Sequence, residues 1–345
     1  MRISPRSTSS PSPTIRSICS GCCSATGLPP TRRWWQCRHD SVTIEGSTMT
    51  GLASRSLLAA ILALGMPPSV HSARAQTAPA PGYVLPETET WELKSDDGYP
   101  YQIFVSRPKG PPPPEGFPVL YVLDGNAMFA GFAETRRILG YMKADLGKTI
   151  VVGVGYKTEA AYDVRRIYDF VEDFRQPVPP AQLYLTKYKA GGRAQFAAFL
   201  LGRLRPELAR RYSIHPHRQA LFGHSFGGLF ALYMLYNHPG AFHAIVAASP
   251  SIFWNDQAIL AEERAFAAKL AEGKLPGPVS SLRLVTGELD ETAVERTDAV
   301  SLAKRLEALS GYGLRSEFEM FEGETHITVP SRSITSTLRF AFTWP

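Results

Sequence analysis

A serine with a glycine two residues before it and another two residues after it lies at the centre of GHSFG (223–227). Apolar runs precede and follow this segment, so the pattern G-x-S-x-G predicts a sharp turn between a strand and a helix. Such a turn projects the hydroxyl of Ser225 above the sheet edge, and the helix N-terminus behind it favours a developing oxyanion. A glycine-rich turn with a passive serine is the alternative. The context favours a nucleophile.

A serine nucleophile needs a general base, and the chain has eight histidines. His326 lies in GETHITVP, directly after the last predicted strand, where an imidazole could reach over the carboxyl edge of a sheet. His224 is adjacent to Ser225 and is expected to point elsewhere. We therefore predict that His326 is the base. A surface-loop histidine or a hydrogen-bonded core histidine is the alternative.

The base in turn needs an orienting carboxylate, and TGELDET (286–292) supplies candidates at the end of a predicted strand. Asp290 is the predicted acid, Glu288 is the second choice, and a Ser–His dyad without an acid is a third possibility. The chain order Ser225, Asp290, His326 is the order found in α/β-hydrolases.

An oxyanion hole needs two backbone donors. One is expected to be the N–H of Phe226, the residue after the nucleophile. The other is expected after the apolar run that ends in LDGN (123–126), from the N–H of Asn126, with Gly125 as the alternative. A plain turn would also accept the sequence Asp-Gly-Asn.

The elements that must position these residues alternate along the chain, which predicts an α/β-hydrolase fold with a mostly parallel central sheet and helices on both faces. Strands are predicted at 88–95, 100–107, 117–125, 148–156, 218–225, 242–251, 282–290 and 314–323. Helices are predicted at 127–145, 193–211, 226–238, 256–272, 293–310 and 331–342. Residues 157–192 show no clear periodicity, which is typical of a binding loop or lid.

The net charge of +6 comes from the N-terminal part of the chain. Residues 1–75 hold eight arginines and two acidic residues, so the remaining 270 residues carry 29 basic and 29 acidic residues. A nucleic-acid partner is therefore not expected. All four cysteines precede residue 49, which excludes thiol catalysis and disulfide bonds in the rest of the chain. We also predict no metal site.

A second candidate start lies at Met49. Arg55 is followed by an apolar run (56–66) and by Ala-Arg-Ala (73–75), in the order of the three regions of a secretory signal peptide. We predict that translation begins at Met49 and that 1–48 is a non-native or disordered extension. Residues 49–75 would be the signal peptide, 76–87 a linker and 88–345 the catalytic domain. The protein is then expected to be periplasmic or secreted, without a stable membrane anchor. A disordered extension with an apolar helix is the alternative.

Several segments together resemble the esterase family that includes esterase D, the antigen 85 mycolyltransferases and the siderophore esterases. The segments that carry the resemblance are FPVLYVLDGNAMF, RRIYDF, GGRAQFAAFLLGRLRPELARRY, RQALFGHSFGGLFALYML, AASPSIFW, TGELDET and FEGETHITV, within about residues 88–342. The siderophore-hydrolase branch is the most similar. The resemblance implies cleavage of ester bonds in catecholate trilactones such as enterobactin, salmochelin and bacillibactin, without a cofactor. It also implies that a periplasmic member can work with serine and histidine alone.

A catecholate substrate would need cationic and aromatic contacts. Arg165 and Arg166 follow one predicted strand, and Phe253 and Trp254 follow another, so Arg165 and Trp254 are the predicted substrate contacts. Ion pairing of the arginines with nearby aspartates is the alternative. Rival functions are a feruloyl or carbohydrate-acyl esterase, an acyltransferase with a sugar acceptor, and a non-catalytic siderophore- or glycan-binding module.

Overall fold

The computed structural model describes residues 82–142, 144–290 and 293–343. The predicted N-terminal extension, the signal peptide and residues 76–81 of the linker lie outside the described residues. Within the described ranges, no helix combines the length and the apolar character needed to cross a bilayer.

In the described part of the chain, eight strands form one sheet. The strands are β1 Thr88–Lys94, β2 Pro100–Ser106, β3 Phe117–Leu123, β4 Ile150–Tyr156, β5 Ile214–His224, β6 Ala244–Ala248, β7 Ser281–Gly287 and β8 Ser316–Phe321. Their order in the sheet is β1-β2-β4-β3-β5-β6-β7-β8. The pairs β1–β2 and β2–β4 are antiparallel, and all other neighbours are parallel.

Burial explains why the central strands read as continuous apolar runs. Every residue of β3, β4 and β6 is buried, because helices cover both faces of this part of the sheet. The outer strands β1 and β8 alternate between more and less exposed residues, as expected at the two edges.

Helices pack on both faces of the sheet, as predicted. One face is covered by α1 (Gly125–Met142), α2 (Ala144–Gly147) and α10 (Val329–Phe342). The other is covered by α3 (Arg165–Phe170), α4 (Arg193–Phe199), α5 (Arg205–Arg211), α6 (Phe226–Asn237), α8 (Ile259–Ala271) and α9 (Ala293–Glu307). A short segment, α7 (Trp254–Gln257), precedes α8.

The predicted fold class is confirmed, and the differences from prediction are local. The predicted helix at 193–211 is interrupted by a π-helical turn at Leu200–Leu204, which separates α4 from α5. The segment 157–192 contains α3 and a 3₁₀ turn at Pro180–Leu185. Three consecutive residues starting at Asn255 have positive φ. The regular helix in the predicted range 256–272 therefore begins at Ile259, the first residue of α8.

Candidate active site

The turn between β5 and α6 holds Ser225 in a strained backbone conformation, with φ 60° and ψ −120°. Its N–H donates to the carbonyl of Ala248 on β6 at 3.0 Å. A Cβ atom at position 223 would lie 2.0 Å from the carbonyl oxygen of Gly227, so only glycine fits there. The glycine spacing in GHSFG therefore has a steric cause, which is the close approach of the strand to the following helix.

Ser251 lies beside the nucleophile candidate and was not identified from the sequence. Its Oγ is 3.2 Å from Oγ of Ser225, and its N–H donates to the Ser225 carbonyl at 3.2 Å. Ser251 is 2% exposed. The segment that follows β6 therefore holds both the backbone and the hydroxyl of Ser225, and its position after a central parallel strand was the signal that could have identified it.

The loop between β8 and α10 carries His326, and it is bonded to the residue before the nucleophile candidate. Nε2 of His224 donates to the carbonyl oxygen of His326 at 2.8 Å, and the two imidazole ring centroids are 4.8 Å apart. The structure therefore brings the segments of Ser225 and His326 together at the carboxyl edge of the sheet, whereas their catalytic roles stay predictions. His224, to which the sequence analysis assigned no role, makes this connection.

His224 is a neutral imidazole with an assignable tautomer. It is 2% exposed, and burial, together with the charges of His326 and Arg166, lowers its pKa from 6.5 to about 3. Because a carbonyl oxygen only accepts hydrogen bonds, the bond to His326 assigns the proton to Nε2. His224 can therefore hold the His326 loop without adding a positive charge beside it.

Asp290 follows β7 and lies on the Nδ1 side of His326, with 3.8 Å between its Oδ1 and that nitrogen. This separation is longer than a hydrogen bond, and such contacts in free enzymes often shorten when substrate binds. Its other oxygen, Oδ2, accepts hydrogen bonds from the hydroxyls of Ser249 and Thr286 and from the N–H of Gly287. The carboxylate is thus buried, anchored and directed at the imidazole.

Glu288, the second candidate acid, has a different position. Its residue is exposed, and its carboxylate accepts a hydrogen bond from the N–H of Gly323 at 3.0 Å. Geometry therefore favours Asp290 over Glu288 as the partner of His326.

The two predicted oxyanion donors are at helix N-termini. Phe226 is the first residue of α6 and Asn126 is the second residue of α1, so neither N–H has an acceptor within its helix. The Asn126 side chain donates to the carbonyls of Tyr156 and Thr158 and accepts from the Tyr156 N–H, at 2.8–2.9 Å. Its side chain is therefore committed to the end of β4, which agrees with the expectation that its N–H is the available donor.

A buried ion pair links the ends of β3 and β5. Arg166 binds both carboxylate oxygens of Asp124, at 2.8 and 3.0 Å, and also donates to the carbonyl of His224 at 3.3 Å. Asp124 is 1% exposed and has a φ of 52° directly before α1. The pair therefore ties the turn that starts α1 to the turn that starts α6, and these turns carry the two predicted oxyanion donors.

Arg165 is one of the two predicted substrate contacts. In the structure it forms an ion pair with an aspartate, which was the alternative to substrate binding. Its Nε donates to Asp169 at 2.9 Å, and its guanidinium lies 4.0 Å from the ring centroid of Tyr99 and 4.2 Å from that of Tyr168. The Arg165 guanidinium is therefore occupied by contacts within the protein, and these contacts stabilise the segment after β4.

The predicted stacking of Trp254 on a substrate ring is contradicted by its burial, because this residue is 1% exposed. Its ring packs against Phe174 and Phe226, at centroid distances of 4.9 and 5.4 Å. Trp254 therefore supports the residue after the nucleophile candidate from behind, within the core.

Comparison with known proteins gives consistent results. Residues 98–329 match the model of the Esterase family, whose description is "Putative esterase". The chain is 37% identical over 265 residues to the ferri-bacillibactin esterase BesA of Bacillus subtilis, which covers 75% of this chain and 91% of that protein. It is 36% identical over 227 residues to a siderophore enterobactin esterase of Emericella nidulans, covering 62% of this chain and 74% of the relative.

A solved structure shows the same fold. The BES protein from Bacillus cereus superposes with a TM-score of 0.69 at 33% identity, covering 77% of this chain and 99% of that one. The resemblance to siderophore esterases stated from sequence motifs is confirmed. The chain belongs to the Esterase family and is an enzyme that hydrolyses carboxylic esters.

Proposed function

We propose that this esterase works by a serine mechanism and cleaves the ester bonds of a siderophore trilactone, with Ser225 as nucleophile, His326 as base and Asp290 as the orienting acid. One observation carries the mechanism: the strained turn of Ser225 is hydrogen-bonded, through His224, to the loop of His326 at 2.8 Å.

In the proposed first step, Oγ of Ser225 attacks the ester carbonyl carbon and its proton passes to Nε2 of His326. Nε2 is the assigned nitrogen because Nδ1 is the one that faces Asp290. The N–H groups of Phe226 and Asn126 stabilise the tetrahedral oxyanion. When the intermediate collapses, His326 returns the proton to the departing alkoxide, which leaves as an alcohol.

In the second step, His326 removes a proton from water, and the hydroxide attacks the acyl-enzyme carbonyl. The second tetrahedral intermediate uses the same two N–H donors. Its collapse releases the carboxylic acid and returns the proton to Ser225. The buried carboxylate of Asp290 favours the imidazolium that forms in both steps.

The proposed substrate class rests on the relatives. The Bacillus subtilis relative is named for ferri-bacillibactin and the Emericella nidulans relative for enterobactin. Both names denote ester-containing iron chelators, and the similarity covers most of the described chain. A siderophore ester is therefore the substrate to test first, with a feruloylated sugar as the comparison substrate.

The experiment combines a covalent probe with product analysis. The full chain and its Ser225→Ala variant are treated with a fluorophosphonate, and separately with enterobactin and a feruloylated sugar. We expect labelling only in the intact chain and release of 2,3-dihydroxybenzoylserine from enterobactin. Absence of labelling would contradict the serine mechanism. Cleavage of the sugar ester alone would contradict the siderophore substrate.

Export to the periplasm or medium is a second part of the proposal, supported by the three-part pattern at residues 49–75. Its test is N-terminal sequencing of the protein recovered from the native host. A mature terminus at Gln76 is expected, and exported protein that retains Met1 would contradict it.

A further inference from the structure

A groove opens directly beside the residue that follows the nucleophile candidate. It has a volume of about 320 Å³, and the residues that matter here are Tyr162, Ile167, Tyr184, Leu185, Lys187 and Phe226. We call it the aromatic groove. Because Phe226 both lines the groove and supplies a predicted oxyanion donor, a substrate held at Ser225 has this groove next to its reacting carbonyl.

The walls of the aromatic groove expose aromatic rings to solvent. Tyr162 and Tyr184 are 37% and 66% exposed, whereas Ile167 and Leu185 below them are each 6% exposed. An apolar floor with exposed rings and a few polar groups is the usual composition of a small-molecule site. Tyrosine walls favour a flat aromatic ligand group.

The charged side chains at the groove are of both signs. Arg166 is paired with Asp124. Asp163 on the rim accepts the backbone N–H of Arg165, and this neutral donor does not cancel the charge of a carboxylate. The Lys187 ammonium lies 5.0 Å from the ring of Tyr188, and no carboxylate of the described residues is within ion-pair distance of it. Lys187 is therefore a cation available to an anionic group.

We propose that the aromatic groove binds one catechol-bearing arm of the siderophore, with its ring against Tyr162 and Tyr184 and its anionic oxygens toward Lys187. This inference rests on the proposed function and deepens it, because the aromatic groove would bind catecholate esters in preference to hydroxamate esters. A hydroxamate arm is aliphatic and offers no ring for the tyrosines. A ferulate ring would stack but carries no anionic chelating oxygens for Lys187.

Binding is tested separately from turnover. Ferric enterobactin is titrated into full-length Ser225→Ala protein by following the quenching of intrinsic fluorescence, and Tyr184→Ala and Lys187→Gln are added to that background. We expect Tyr184→Ala to raise Kd about fivefold through lost ring contact. Lys187→Gln should raise Kd by a similar factor at low salt and by less at 0.5 M salt, because screening weakens an exposed charge.

The matched controls are Tyr312→Ala, a tyrosine 55% exposed on a different surface, and Lys304→Gln on α9. Neither should change Kd. The ligand control is an iron-loaded hydroxamate triester, which should bind more weakly than ferric enterobactin and should not respond to Tyr184→Ala.

The outcomes separate this inference from the proposed function. If the intact chain hydrolyses enterobactin but Kd is unchanged in both groove variants, the subsite is wrong and the function stands. If ferric enterobactin binds through the groove but the intact chain does not cleave it, the function is wrong and the subsite stands. Equal sensitivity of the hydroxamate ligand to Tyr184→Ala would overturn the selection for catechol.

Discussion

The two sides of Ser225 are built from different kinds of groups. On the side of the base are two imidazoles, His224 and His326, and the carboxylate of Asp290, whose Oδ2 is held by hydroxyl and backbone donors. On the oxyanion side, the buried pair Asp124–Arg166 ties together the turns that carry the predicted oxyanion donors. The base side consists of side chains that can exchange a proton, whereas the oxyanion side is held by a buried ion pair.

This difference fits what each side would have to do. A proton-transfer site needs groups whose charge can change at low cost, so a fixed cation close to the base would disfavour the imidazolium. An oxyanion site needs donors that stay in place, and a bidentate arginine–carboxylate pair supplies a rigid link between the turns that carry them. His224, with its pKa lowered to about 3, keeps the base side free of added charge.

The largest expected effect is on the base side, from Ser225→Ala and His326→Gln. Each should lower kcat/KM by about 10⁴-fold or more, because nucleophile and base act as a unit. The double variant should be no worse than either single variant. Hydrolysis of enterobactin under single-turnover conditions measures this, and additive losses would contradict a coupled pair.

Asp290→Asn should have the next largest effect, lowering kcat by about 10²- to 10³-fold with little change in KM, because the imidazolium loses its facing carboxylate. Glu288→Gln is the matched control on the same loop and should stay within about twofold of the intact enzyme. An equally active Asp290→Asn variant would indicate a Ser–His dyad. Circular dichroism should show both variants folded.

On the oxyanion side, Arg166→Met should lower the free energy of unfolding by about 3–5 kcal/mol, because it leaves the Asp124 carboxylate buried without its partner. Adding Asp124→Asn should restore part of this loss. Urea unfolding of the two single variants and the double variant measures the coupling. If the losses simply add, the buried pair does not provide the connection described here.

The smallest effect concerns His224. The His224→Gln variant keeps an N–H donor, whereas His224→Phe does not, so kcat should fall about tenfold in the phenylalanine variant and by less in the glutamine variant. KM should be similar in both. Equal losses in the two variants would show that the hydrogen bond to the His326 carbonyl is unimportant.

His224 also predicts a dependence of stability on pH. Because its folded-state pKa of about 3 is below the ordinary 6.5, the folded protein resists protonation. Its contribution to stability is therefore complete above pH 6.5 and falls with acidification by about 1.4 kcal/mol per pH unit toward pH 3. His224→Gln lacks this term, so the unfolding free energy of the intact protein should fall relative to that of the variant from pH 7 to pH 4.5. Parallel curves would contradict the buried neutral imidazole.

Much of the fold could be predicted because the relevant signals are local. Continuous apolar runs identify β3, β4 and β6, since strands covered on both faces have no polar side. The glycines of GHSFG identify the sharp turn that holds Ser225, since the strand and helix approach too closely for a Cβ at position 223. The position of His326 after the last strand followed from the same alternation of elements.

The remaining features depend on contacts between segments far apart in the chain. His224 meets a carbonyl 102 residues away, and Arg166 meets a carboxylate 42 residues away. The burial of Trp254 behind Phe226 is of the same kind. The sequence by itself determined which elements form and which residue types end them, because periodicity and turn sterics act over a few residues. Only the tertiary structure decided which ends meet, because the order of strands in the sheet is set by packing across the whole domain.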